Sequence, residues 1–132
     1  MFDWKKPTVQ MLGRWQPWHD GHQALFKRCI TKTGQVIIQV RDVHGVSEGE
    51  KKSDNPFDWN AVCKNIEEGL AKDGFKKGTD YEIMLVPNIV NITYGRGVGY
   101  TLEEEKFDKG THAISATRIR KKLRQTGKLK NK

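Results

Sequence analysis

Ten consecutive residues near the start of the chain, Gly13-Arg14-Trp15-Gln16-Pro17-Trp18-His19-Asp20-Gly21-His22, bring together two imidazoles, a guanidinium and two glycines. Those residue types suit an anion. Gly13 lets the chain leave a strand in a tight turn, and Gly21 lets backbone approach a ligand where a helix begins. A helix start supplies unpaired N–H groups and a partial positive charge, a combination that suits phosphate. His19 and His22, three apart across that junction, can both point at the same anion. The alternative, that two histidines and two tryptophans simply pack a first crossover, stands level with it on this segment alone. His-x-x-His with no third ligand nearby is a weak zinc signal, so no metal site is assigned.

A second segment of the same kind lies near the other end, His112-Ala113-Ile114-Ser115-Ala116-Thr117-Arg118-Ile119-Arg120. Ser115 as N-cap leaves its hydroxyl and the amides of Thr117 and Arg118 beside a possible anion. Arg120 adds fixed charge on the first turns, with Arg124 four residues on along the same face. An ordinary capped, solvated basic helix is the commoner fate of such a run. Each cradle alone says little; two in one short chain say more.

The elements that must position these segments can be read from periodicity and breakers. Thr8–Leu12 reads as a first strand after Pro7, and His22–Thr31 as a helix with Leu25, Cys29 and Ile30 on one side, ended by Thr33-Gly34. Gln35–Val40 suits a buried strand, and His44–Asp54 a polar, mobile loop that leaves His44 in solvent. Asn55-Pro56 is expected to open a second helix, with Pro at its first position and Val62, Ile66 and Leu70 inward. Tyr81–Val86 is a third strand stopped by Pro87, and Ile89–Tyr94 a candidate fourth. Thr101–Phe107 fits either state, and a last helix runs over Ala116–Arg124 with Gly127 as its stop. Alternating strands and helices imply a parallel sheet with helices on both faces, and ligands in such sheets bind beyond the carboxyl ends of the strands.

Composition bounds the classes. At 132 residues the chain fits one domain, taken as 1–127 with a basic tail over 128–132. Hydrophobic residues are 36% and charged residues 30%, polar but not disordered in composition. No apolar run approaches the roughly 18 residues of a membrane span, and Met1–Lys6 lacks the apolar stretch of a secretory signal. Cys29 and Cys63 have no paired spacing, which leaves neither a disulfide framework nor a cysteine zinc site. A soluble, cytoplasmic protein with no membrane partner is expected. Lys and Arg total 24 against 16 Asp and Glu, a net +8. Eight of the basic residues fall within Thr117–Lys132, which holds no acid, so Met1–Ala116 is neutral. The basicity is local, which suits a local anion site better than a surface coated by nucleic acid and leaves both phosphate-bearing small molecules and RNA open as ligands.

Taken together, the two segments resemble known signatures. Gly-Arg-Trp-Gln-Pro-Trp-His-Asp-Gly-His is similar to the GRFxPxHxGH pattern of the HxGH nucleotidylyltransferases, also described as cytidylyltransferase-like. Ile114-Ser115-Ala116-Thr117-Arg118-Ile119-Arg120 is similar to their second pattern, ISxTxxR, in the same order. The resemblance implies a Rossmann-like three-layer α/β/α sandwich with a parallel sheet. It implies transfer of NMP from an NTP to a phosphorylated small-molecule acceptor, with release of pyrophosphate and with Mg²⁺ carried by the NTP. His19, His22 and Arg120 then match the catalytic positions. Gly13, Arg14, Trp15, Gly21, Ser115, Thr117 and Arg118 match the nucleotide-binding ones.

Finer features bear on the substrate. Gln16-Pro17 and the later Asp54-Asn55-Pro56-Phe57 resemble archaeal-type nicotinamide mononucleotide adenylyltransferases, which favours ATP. The Arg-Thr feature before the second motif of choline- and glycerol-phosphate cytidylyltransferases is absent, so CTP is the alternative. Tyr94-Gly95-Arg96-Gly97-Val98-Gly99-Tyr100 departs from the adenylyltransferases and is closer to small domains associated with adenylylsulfate kinases. Trp18, Arg41, Tyr94, Arg96 and Tyr100 are candidates for the acceptor or base, each equally open to a packing role, and Trp59 is similarly undecided. A nucleotide- or RNA-binding module that kept the fold without turnover is the second function class, and self-association stays open.

Overall fold

The computed structural model describes residues 1–45, 55–95 and 101–105. Strand β1 (Val9–Gly13) leads into helix α1 (Asp20–Thr33), strand β2 (Val36–Arg41), helix α2 (Trp59–Lys72) and strand β3 (Tyr81–Val86). The strands pair in parallel in the order β1-β2-β3. Met11 lies opposite Ile38, which lies opposite Ile83, and the row Gly13, Val40 and Leu85 marks the approach to the carboxyl edge. This is the expected Rossmann-like α/β arrangement.

Alternation along β2 explains how the sheet meets the helices. Val36, Ile38 and Val40 are buried while Ile37, Gln39 and Arg41 are only half-buried, the period of two that puts successive side chains on opposite faces. The buried set packs with Phe26 and Cys29 of α1 and Val62, Ile66 and Leu70 of α2. Each such side chain contributes about 1.5–3 kcal/mol on burial. Both steps, β1 to β2 and β2 to β3, run the same way across the sheet, so two right-handed crossovers place both helices on one face. A hydrogen bond of 2.7 Å from Gln23 Nε2 in α1 to the Gly69 carbonyl of α2 ties them side by side. The described residues therefore supply a three-stranded sheet and one helical layer.

Most boundaries agree with the periodicity, and the departures have causes. Gly34 closes α1 in the left-handed region, φ +86°, its N–H donating to the Ile30 carbonyl; a residue with a Cβ is strained there. Phe26, not among the residues read as inward, is the fully buried member of α1 beside Cys29. Pro56 does not open α2. That helix starts at Trp59, capped by Asp58, whose carboxylate accepts from Ala61 N–H, because the backbone of Asn55 and Phe57 is engaged elsewhere. Ile89–Tyr94 forms no strand: residues 87–94 lack regular structure, with Val90 and Ile92 well exposed. Residues 101–105 are irregular too and are held on the end of α1, where Lys32 Nζ lies 3.0 Å from Glu103 and from Glu105. The predicted last helix and the basic tail lie outside the described residues. No helix among those described is long and apolar enough to cross a membrane.

Candidate functional site at the start of the first helix

Loop 14–19 joins the carboxyl end of β1 to α1, and its conformation begins with Gly13. A Cβ there would meet the Trp15 indole at 2.8 Å, so the strand must end in glycine for that ring to fold back over it. Trp15 has φ 55° and donates its indole N–H to the Gln39 carbonyl at 3.0 Å. Trp18 donates to Gln23 Oε1 at 2.7 Å, and its ring would likewise meet a Cβ on Gly69 at 2.9 Å. Both rings are buried, with centroids 5.2 Å apart. Together they hold His22, whose imidazole meets Trp15 edge-on at 4.7 Å and Trp18 at 5.5 Å. His19 stacks on His22 at 3.7 Å, the planes 18° apart.

Hydrogen bonds at the helix start fix the state of both imidazoles. Gly21 N–H donates to His19 Nδ1 at 3.0 Å, and His19 N–H donates to His22 Nδ1 at 3.2 Å. The pair forms a capping box in which histidines replace the usual hydroxyl and carboxylate. A nitrogen that accepts from an amide carries no proton, so each ring bears its hydrogen on Nε2. Burial reinforces neutrality. It pushes the His22 pKa down to about 3, with neighbouring His19 adding a smaller repulsion. Burial also lowers His19, against which exposed Asp20 pulls upward. The helix thus starts with two neutral Nε2–H donors, a set that can hydrogen-bond phosphate oxygens without taking up a proton.

The rest of the loop is tied to the chain that precedes α2. Arg14 Nη1 lies 3.3 Å from Asn55 Oδ1. The buried Gln16 amide bonds both backbone groups of Phe57, donating to its carbonyl at 2.9 Å and accepting from its N–H at 2.8 Å. At the end of β2, Arg41 donates to Asn88 Oδ1 at 2.6 Å. A groove of about 480 Å³ opens beside His19 between the helices, walled by Pro17, Trp18 and Phe57. Asp20, Glu68 and Asp73 on its lining outnumber Lys72, a charge balance that disfavours a polyanion there.

The structure thus brings His19, His22, Trp15 and Trp18 into one cluster, between Gly13 and the Gly21 amide, with Arg14 on the same loop. Arg41 stands at the end of β2, Tyr94 is exposed beyond β3, and Trp59 lies at the surface on the first residue of α2. His44 is exposed, as expected. Arg96, Tyr100, Ser115, Thr117, Arg118, Arg120 and Arg124 lie outside the described residues. Gln16, Asn55 and Phe57 carry contacts that residue types alone did not announce; their two proline-containing runs stood out in the sequence only by resemblance. Among the described residues no group of three or more His, Cys, Asp or Glu is placed to hold a metal ion.

No family model matches the chain. Over 65 residues it is 31% identical to a nicotinamide-nucleotide adenylyltransferase from Methanococcus aeolicus, a match covering 49% of this chain and 36% of that protein. The match spans about a third of the relative's length. The chain is therefore similar in sequence to a nucleotidyltransferase and has the parallel, Rossmann-like α/β sheet expected of one.

Proposed function

We propose that this protein is a nucleotidyltransferase that moves NMP, AMP by preference, from an NTP to a phosphate-bearing small-molecule acceptor. The observation that carries the reading is the stacked pair His19 and His22 at the start of α1, each with Nδ1 held by a backbone amide and Nε2–H left as donor. An acceptor phosphate oxygen attacks the α-phosphorus, the bond to the bridging oxygen breaks, and pyrophosphate leaves with that electron pair. The attacking oxygen is already ionised, so positioning and charge stabilisation matter more than a base. In this reading the two Nε2–H groups hold oxygens of the reacting phosphates as charge builds, and Arg14 reaches the triphosphate from the loop. Ser115, Thr117 and Arg120 grip the β- and γ-phosphates, with Arg118 a secondary nucleotide-binding candidate. Magnesium carried by the triphosphate would supply neutralising charge to it. Gln16-Pro17, Asn55-Pro56-Phe57 and the adenylyltransferase relative favour ATP over CTP.

Pyrophosphate release from ATP, CTP, GTP and UTP, each with mononucleotides and other phosphorylated acceptors, tests the proposal. Release is expected with ATP and at least one acceptor, and His19→Ala or His22→Ala should lower it by about 10²-fold or more while the helical signal persists. Absence of release with every pair, or unchanged rates in both variants, would count against it.

A further inference from the structure

Three ties bind loop 14–19 to residues 55–57: Arg14 to Asn55, and the Gln16 amide to both the N–H and the carbonyl of Phe57. Gln16 is 3% exposed and Asn55 fully buried, so neither is a surface contact that water could replace. Unmaking a buried amide pair leaves donors and acceptors stranded, at greater cost than the bond itself contributes. Asn55 is also where the chain after β2 returns, because its carbonyl accepts from Gly45 N–H at 2.9 Å. The histidine loop is therefore braced against the approach to α2, with Gln16 two residues before Trp18 and three before His19.

We propose that Gln16 is a positioning residue: by clamping the Phe57 backbone it holds the loop in the one shape that stacks His19 on His22 and keeps Arg14 on Asn55. It touches no substrate and acts through the imidazoles. The inference rests on the nucleotidyltransferase reading only for its ligand; the brace is a property of the unliganded chain. Gln16→Met fills a similar volume without a donor or acceptor. Gln16→Glu keeps an acceptor for Phe57 N–H but sets a carboxylate against the Phe57 carbonyl.

Two readouts on the full chain test it. In spectra of the unliganded protein, either variant should shift the nitrogen-correlated ring signals of His19 and His22 while the carbon-correlated methyl signals of Ile38 and Ile66 stay in place. By calorimetry with ATP and magnesium, affinity should fall at least fivefold. Unchanged ring signals in a folded variant would overturn the positioning role, and so would wild-type affinity. If the wild-type chain itself fails to bind ATP, the functional reading fails while the ring signals still decide the brace. Should both variants unfold, hydrogen exchange in the wild type decides: Phe57 N–H should exchange severalfold more slowly with ATP bound, and an unchanged rate would overturn the coupling.

Discussion

Helices α1 and α2 are each 14 residues long, follow parallel strands and begin at the same edge of the sheet, yet opposite chemistry closes their first turns. At α1 the cap is an imidazole, backed by a second imidazole three residues on. At α2 it is the Asp58 carboxylate, which accepts from Ala61 N–H at 2.9 Å. Both caps satisfy orphan amides. At the first, neutral imidazole donors make the cap and the nearest acid, Asp20, is exposed; at the second the capping group itself sets negative charge on the helix end. The cap's side chain, more than the helix, decides what the start of a helix can receive.

Converting one start into the other is the sharpest way to break the comparison. His19→Asp keeps a capping acceptor, so thermal stability should stay within about 1 kcal/mol of wild type. ATP affinity should fall tenfold or more, equivalent to about 1.4 kcal/mol; retained affinity by calorimetry would show that the imidazole is not the receiving group. Gly13→Ala attacks the scaffold. Its Cβ would sit 2.8–3.0 Å from Trp15 ring atoms, in a ring already packed on Trp18 and His22. Denaturant titration should show a loss of about 1–3 kcal/mol.

Acid should separate the two helix starts as well. The folded-state pKa of His22 lies near 3, below the 6.5 of the free side chain. Between those values the unfolded chain takes up a proton that the folded chain refuses, so stability falls as pH drops. Above about 6.5 the effect vanishes. Near pH 5 the loss should be roughly 2 kcal/mol, read as the difference in pH dependence between wild type and His22→Gln. Equal slopes would contradict the neutral-imidazole state. The smallest effect belongs to α2, where Asp58→Ala should cost about 1 kcal/mol of stability and leave ATP affinity untouched.

How much of this was legible in the sequence varied with how local the cause was. Tyr81–Val86 could be bounded because Pro87 stops it, and Val62, Ile66 and Leu70 because one helical face carries them. The start of α2 could not. Asn55-Pro56 has the look of a helix opening, but Gly45 and Gln16 engage the backbone of Asn55 and Phe57 from distant parts of the chain. Ile89–Tyr94 alternates like a strand, yet alternation supplies no partner edge. At the site, the pairing of His19 with His22 followed from their spacing at a helix start. Whether Trp15 and Trp18 line a pocket or pack could not follow, since an indole serves both uses until its N–H partner is known. Here those partners are Gln39 and Gln23.

A structure of the full chain with a non-hydrolysable ATP analogue and magnesium tests the central claim most directly. The account predicts phosphate oxygens within hydrogen-bond reach of Nε2 on both His19 and His22, with the Nδ1 atoms still held by Gly21 and His19 amides. A triphosphate seated away from those two nitrogens, or imidazoles turned so that Nδ1 faces the ligand, would contradict it.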